Sequence, residues 1–228
     1  MNATLFGHVW RSQRVKLLAV GAGLALWGSL FPIICATFGA DFRRLVESGA
    51  FGDMFDLFSR LTGGNVFSLT AALSMGFIHP ITIAMVAVFA IGFSTAAVAG
   101  ERQRGTLEVL LARPLARRTL YLTLLAAMLL FVAVAVAAVL LGAVAAALLF
   151  YVAGDLRATA LLAAWFNSVL LYAAIGGLGL AASVSFDRLT PALGLTLAFT
   201  LVSYAVYFLA LLWPDARWLG PYSVFHYL

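Results

Sequence analysis

Long apolar runs separated by short charged segments set the pattern of this chain. No residue between Leu17 and Phe38 is charged. At 1.5 Å per residue that run is about 33 Å long, enough to cross a hydrocarbon core of ~30 Å. Similar runs predict further spans over 76–99, 119–152, 159–185 and 190–213. The run 119–152 exceeds one span, so it tilts or projects from the bilayer. Pro80 divides the apolar stretch from Val66 to Gly100 into a short outer segment and a full span, and Pro32 is expected to kink the first span. Residues 1–16 carry Leu5, Phe6, Val9 and Trp10 ahead of Arg11, Arg14 and Lys16, which predicts an interfacial elbow helix. Residues 39–65 interleave charges with Phe51, Met54, Phe55 and Phe58 at helical spacing, which predicts a second interfacial segment on the outer side. The fold class is therefore all-α: a polytopic transmembrane helix bundle forming one domain over 1–228.

Residues 100–118 break this pattern. The stretch from Ala99 to Arg118 holds five of the fourteen Lys and Arg and two of the nine acids. Gly105 is expected to break the helix descending from the second span, and Thr106 to cap a new one. Leu107, Leu110, Leu111 and Leu115 share a helical face, and Pro114 ends the segment within about two turns. The expected element is a short amphipathic helix between two hinges, placed to pass force between a soluble partner and the spans. The bland alternative is a loop whose charges only set topology.

Composition sharpens the class. Of the 228 residues 64% are hydrophobic and 10% charged, with mean hydropathy +1.05; soluble domains have about 25% charged residues. The net charge of +5 does not indicate nucleic acid, because the basic residues flank apolar spans, where anionic lipid and topology account for them. With the N-terminus inside, nine basic residues fall on inner segments and five on outer ones, which puts 100–118 in the cytoplasm. Tyr204, Tyr207, Trp213, Trp218 and Tyr222 gather at the outer end of the last span as an aromatic belt. Gly92, Ala96 and Gly100 recur every four residues, a stripe of small residues suited to close helix packing. Cys35 is the single cysteine of the sequence. His79, beside Pro80, reads either as a proton relay or metal ligand or as a hydrogen-bonded structural residue.

The segment Glu101-Arg-Gln-Arg-Gly-Thr-Leu-Glu-Val-Leu-Leu-Ala-Arg-Pro-Leu-Ala-Arg117 resembles the cytoplasmic loop of ABC type-2 permeases. Glu101, Gly105, Thr106, Leu107, Glu108, Leu110, Leu111, Pro114 and Arg117 match that family's pattern; Ala116 stands where the family usually has Ser or Thr. The resemblance implies a coupling helix that docks on a separate ATP-binding subunit. It also implies two permeases side by side, as a homodimer or with a homologue, with ATP and Mg held by the partner and no cofactor in this chain. Glu101, Arg102, Arg104 and Glu108 would set partner choice, Leu107, Leu110 and Leu111 would pack in its groove, and Gly105 and Pro114 would be hinges. The family ordinarily has six spans, so a sixth is expected after residues 221–228. The implied location is a bacterial inner membrane.

Other chemistry lacks its parts. The sequence has no P-loop, His-Glu-x-x-His or Gly-x-Ser-x-Gly motif. The runs 119–153, 158–186 and 189–214 contain no Asp, Glu, Lys or Arg, whereas gradient-driven transporters usually place ionisable groups or unwound helices at the midplane. The driving energy must then reach the spans from outside. The expected function is the permease subunit of an ATP-driven exporter of an amphiphilic substrate; the alternative is a non-transporting scaffold or assembly subunit.

Overall fold

The computed structural model describes residues 2–48, 73, 76–112, 116–150 and 158–228, and among these every regular element is helical. The long helices are α1 (Ala3–Glu47), α2 (Pro80–Thr95), α4 (Arg117–Leu149), α5 (Ala158–Ser185) and α6 (Leu189–Leu212), with a short α3 (Leu107–Leu111) between α2 and α4. Helix α2 runs on through a π turn, Ala96–Gly100, into one α turn, Glu101–Gln103. Among the described residues five helices, counting Pro80–Gln103 as one, are long and apolar enough to cross a membrane.

The start of the chain departs from expectation. The elbow expected over 1–16 is not a separate element: from Ala3 onward it is the first third of α1, which continues unbroken past Pro32 to Glu47. No Gly or Pro lies between His8 and Val20, so nothing interrupts the backbone bonds there. Asn2 starts this helix: its Oδ1 accepts from Leu5 N at 3.0 Å, the third helical N–H, and its own N–H donates to Thr123 Oγ1 at 3.1 Å. At about 67 Å, α1 is twice the thickness of a hydrocarbon core. The segment with Phe51, Met54, Phe55 and Phe58 lies outside the described residues.

Two compact units divide the chain, and the division cuts across helices rather than between them. One comprises Gly21–Ala84 and Ala135–Phe166. Its tightest feature is a backbone-to-backbone crossing of α1 and α4. A Cβ on Gly142 would stand 2.6 Å from the Ala25 carbonyl carbon and 2.7 Å from its Cα, and one on Gly28 would stand 3.1 Å from the Val139 carbonyl carbon. Without a hydrophobic drive between helices in lipid, such close approach supplies the packing energy. Leu73 packs with Ala143 and Ala147 in the same unit. His79 is structural in its surroundings: its ring lies 4.9 Å from Trp27 and 5.8 Å from Phe31, and its Nδ1 accepts from Ile81 N.

The other unit comprises Met1–Val20, Met85–Val134 and Asn167–Leu228. Its core forms around Phe131, 1% exposed, whose ring meets those of Trp10, Phe89 and Phe93 at 5.8, 6.4 and 5.2 Å. Gly176 admits Met128, and Gly179 admits Ser94 and Thr196. Residues 214–228 form two 3-10 helices, Pro214–Tyr222 and Val224–Tyr227, held on α6 by Ser203 and Ser223. Ser223 Oγ donates to Ser203 O at 2.7 Å, and Ser203 Oγ accepts from Val224 N at 3.0 Å. Trp213, Trp218 and Tyr222 are exposed beside them.

Candidate coupling site

The end of the α2 extension is a complete Schellman turn. Gly105 has φ +73°, its N–H donates to Arg102 O at 3.0 Å, and Thr106 N donates to Glu101 O at 3.0 Å. These are the two bonds that satisfy the last carbonyls of a helix through a left-handed residue, and glycine enters that conformation without penalty. Gly105 is thus a stop with defined geometry. The turn leaves Thr106 at φ −87°, ψ −16°, a helical conformation and not the extended one an N-cap needs, so Thr106 does not cap α3. Its hydroxyl turns back to Glu101 instead, reaching O at 3.1 Å and Oε2 at 2.5 Å.

The charges expected to face a partner are mostly engaged within the chain. Glu101 pairs with Arg104. Arg102 Nη1 donates to Asp187 Oδ1 at 2.9 Å and to Phe186 O at 3.1 Å. Asp187 is 90% exposed, so that ion pair contributes under about 1 kcal/mol and serves chiefly to fix position. Gln103 Oε1 accepts from Leu189 N at 3.0 Å, doing for α6 what its N-cap residue Arg188 does not. Loop 101–106 is therefore fastened at two points to the turn between α5 and α6. Replacing Gln103 by Ala should cost about 1 kcal/mol, as loss of a helix cap does, and speed amide exchange at Leu189 and through the first turn of α6.

Of the expected partner-facing leucines, Leu107 is buried within this chain, 8% exposed, and serves its own packing. Leu107 borders two open pockets. One, of about 490 Å³, is lined by Val98, Arg102, Leu107, Glu108, Arg117 and Val184 among others. The second, of about 540 Å³, includes Leu5, Val9, Lys16, Phe93, Leu107 and Leu124. Glu108, exposed and in no ion pair with another described residue, stands at the edge of the first pocket, and Val109, 67% exposed, at the edge of the second. Arg117 begins α4 and is exposed. The side chains of Leu110 and Leu111, and residue Pro114, lie outside the described residues. Among the described residues no atom outside its own helix comes within 4 Å of the position a Gly92 Cβ would take, Ala96 is half-buried, and Gly100 is buried.

Ser183 does not stand out in the sequence. This residue of α5 is fully buried, and its Oγ accepts from Val98 N at 3.0 Å and Ala99 N at 2.8 Å while donating to Thr95 O at 2.8 Å. A serine near the inner end of an apolar span is a weak signal, because its partners are backbone groups on another helix. No group of three or more His, Cys, Asp or Glu suited to a metal ion occurs among the described residues.

A short loop built as a rigid turn, tied to a second turn and carrying a short helix with exposed side chains, lies between apolar runs, 80–100 and 119–150, that contain no Asp, Glu, Lys or Arg. Comparison with protein families gives the same direction: the model of the ABC-2 family transporter protein matches residues 22–227. The chain belongs to the ABC-2 transporter family. It is an ABC transporter permease, an integral membrane protein and a membrane subunit of a transporter. Comparisons of the permease with curated proteins and with solved structures returned no match.

Proposed function

We propose that this permease is the membrane subunit of an ATP-driven exporter, energised by a separate ATP-binding subunit that docks on residues 101–118. The observation that carries the reading is the presentation of α3 on a Schellman turn, with Glu108 and Val109 exposed and Glu101, Arg102 and Arg104 holding the turn from behind. Glu108 is an exposed charge suited to choosing a basic partner surface, while Val109 supplies apolar contact. ATP and Mg belong to the partner, since this chain has no P-loop. Gly105 and Pro114 bound the element that moves. The pathway is completed by a second permease, identical or homologous, and the exposed Gly92 offers it a surface of close approach. The apolar runs without ionisable residues suit an amphiphilic or lipid-like substrate. The setting is a bacterial inner membrane with the N-terminus and loop 101–118 in the cytoplasm.

Affinity purification of the permease from its native membrane in mild detergent, followed by peptide identification, tests this. A P-loop ATPase should co-purify, and Glu108→Lys should reduce its recovery about tenfold or more while leaving the permease inserted, since a reversed charge at an interface costs on the order of 1–3 kcal/mol. Recovery of other proteins and no nucleotide-binding subunit would put the scaffold reading in its place.

A further inference from the structure

The π turn Ala96–Gly100 has an identifiable cause. In a regular α-helix Ala99 N would donate to Thr95 O, four residues back. Here the Ser183 hydroxyl has inserted between those two groups, giving its proton to Thr95 O and accepting from Ala99 N, with Val98 N as a second donor. A side chain that enters the backbone ladder in this way opens the turn, and the opened turn holds one residue more than an α turn does. Everything after Gly100 is displaced in register by that residue. The first structure after it is the Glu101–Thr106 turn with its two ties to the α5–α6 connection, Arg102 to Phe186 and Asp187 and Gln103 to Leu189.

We propose that Ser183 is a positioning residue of the coupling route: its hydroxyl latches α2 in π register, and movement of α3 by the partner releases the latch and slips that turn toward α register. Resting as it does on the coupling reading above, this extends it by naming the joint through which α3 acts on the spans. Three further observations favour a joint at this point. The groups that exchange partners are already present, because Ala99 N and Thr95 O become each other's partners when the hydroxyl leaves. Ser183 and the tie points Phe186, Asp187 and Leu189 lie within seven successive residues, so one short stretch of chain holds both the latch and the loop. The pocket of about 490 Å³ bordered by Val98, Arg102, Leu107 and Val184 gives the loop room to move.

The test measures register by disulfide formation between cysteines placed at Gln103 and Leu189, in a Cys35→Ala background of the full chain, purified alone and with whatever ATP-binding subunit co-purifies. With Ser183 present the pair should oxidise readily. In Ser183→Ala the turn closes to α register, Gln103 rotates by about 100° and the rate should fall at least tenfold; Ser183→Thr, which keeps the hydroxyl, should restore it. Deleting Ala97 removes the extra residue, so the deletion combined with Ser183→Ala should regain the fast rate. If Ser183→Ala does not fold, the same deletion should restore folding. An undiminished rate in folded Ser183→Ala, or no rescue by the deletion, overturns the latch. In the complex, ATP should slow oxidation of the pair as Ser183→Ala does, and a rate indifferent to ATP with the ATPase bound overturns its part in coupling. Absence of any bound ATPase strikes the coupling reading alone, because the result on the isolated permease still decides the latch.

Discussion

Gly142→Val should prevent this permease from accumulating as a folded protein. At Gly142 the neighbour is backbone: a Cβ would sit 2.6 Å from the Ala25 carbonyl carbon and 2.7 Å from its Cα, where real Cβ atoms essentially never lie. A flexible side chain could swing away, as Met128 can before Gly176, but a helix backbone yields only if α1 and α4 part. Overpacking a core commonly costs about 1–3 kcal/mol, and a clash that separates two backbones lies at or above the top of that range. Valine brings two more carbons than alanine, so the order of stability should be Gly, then Ala, then Val. Gly28→Val should behave alike, since it meets Val139 across the same crossing. Gly177→Ala and Gly194→Ala meet nothing within 4 Å among the described residues and should be neutral or slightly stabilising, by up to about 1 kcal/mol from helix propensity. Thermal unfolding of the detergent-purified variants, with yield of monodisperse protein, reads out the series.

Gly105→Pro should leave the permease folded and inserted yet abolish ATP-driven transport. Proline fixes φ near −65° where this position has +73°, and it removes the N–H that donates to Arg102 O. The Schellman turn is lost, and with it the direction in which α3 leaves. The apolar helices are untouched, so insertion should persist. Substitutions graded by their tolerance of the left-handed region separate conformation from side-chain chemistry. Gly105→Asn should retain most activity, Gly105→Ala should lose about 1–2 kcal/mol of turn stability, and Gly105→Pro should retain no coupling. No described residue comes within 4 Å of a Cβ at Gly105, so differences among the three should arise from backbone conformation and not from crowding. Transport in vesicles containing the whole complex, set beside ATP hydrolysis by the same samples, distinguishes uncoupling from loss of assembly.

The helices of this protein were legible in its sequence because lipid imposes one rule on them: about twenty apolar residues, bounded by charges or turns, with every backbone bond made internally. Helices α4, α5 and α6 occupy 117–149, 158–185 and 189–212, where the sequence has its apolar runs. The continuity of α1 did not show, since an amphipathic start followed by an apolar run fits one helix or two. The importance of Gly105 was visible as a break in pattern, but its bonding as a Schellman turn, which displaces Thr106 from a capping role, depends on backbone angles. What the sequence concealed most completely are contacts whose partners are backbone atoms. Ser183 in the Thr95–Ala99 bond, Gln103 at the start of α6 and Gly142 on Ala25 have no complementary side chain to pair with in the sequence. The stripe Gly92, Ala96 and Gly100 had the more regular spacing, yet the crossing within the chain uses Gly28 and Gly142, because closeness depends on which faces two helices turn to each other.

If α3 is where an ATP-binding subunit takes hold of this permease, a probe on α3 should reach that subunit. Val109, exposed on α3, is the place to ask. A photo-crosslinking amino acid at Val109, activated in the native membrane, should join the permease to a P-loop ATPase, and the adduct should diminish about tenfold with Glu108→Lys. An adduct formed only with lipid, or with proteins that bind no nucleotide, would contradict the account.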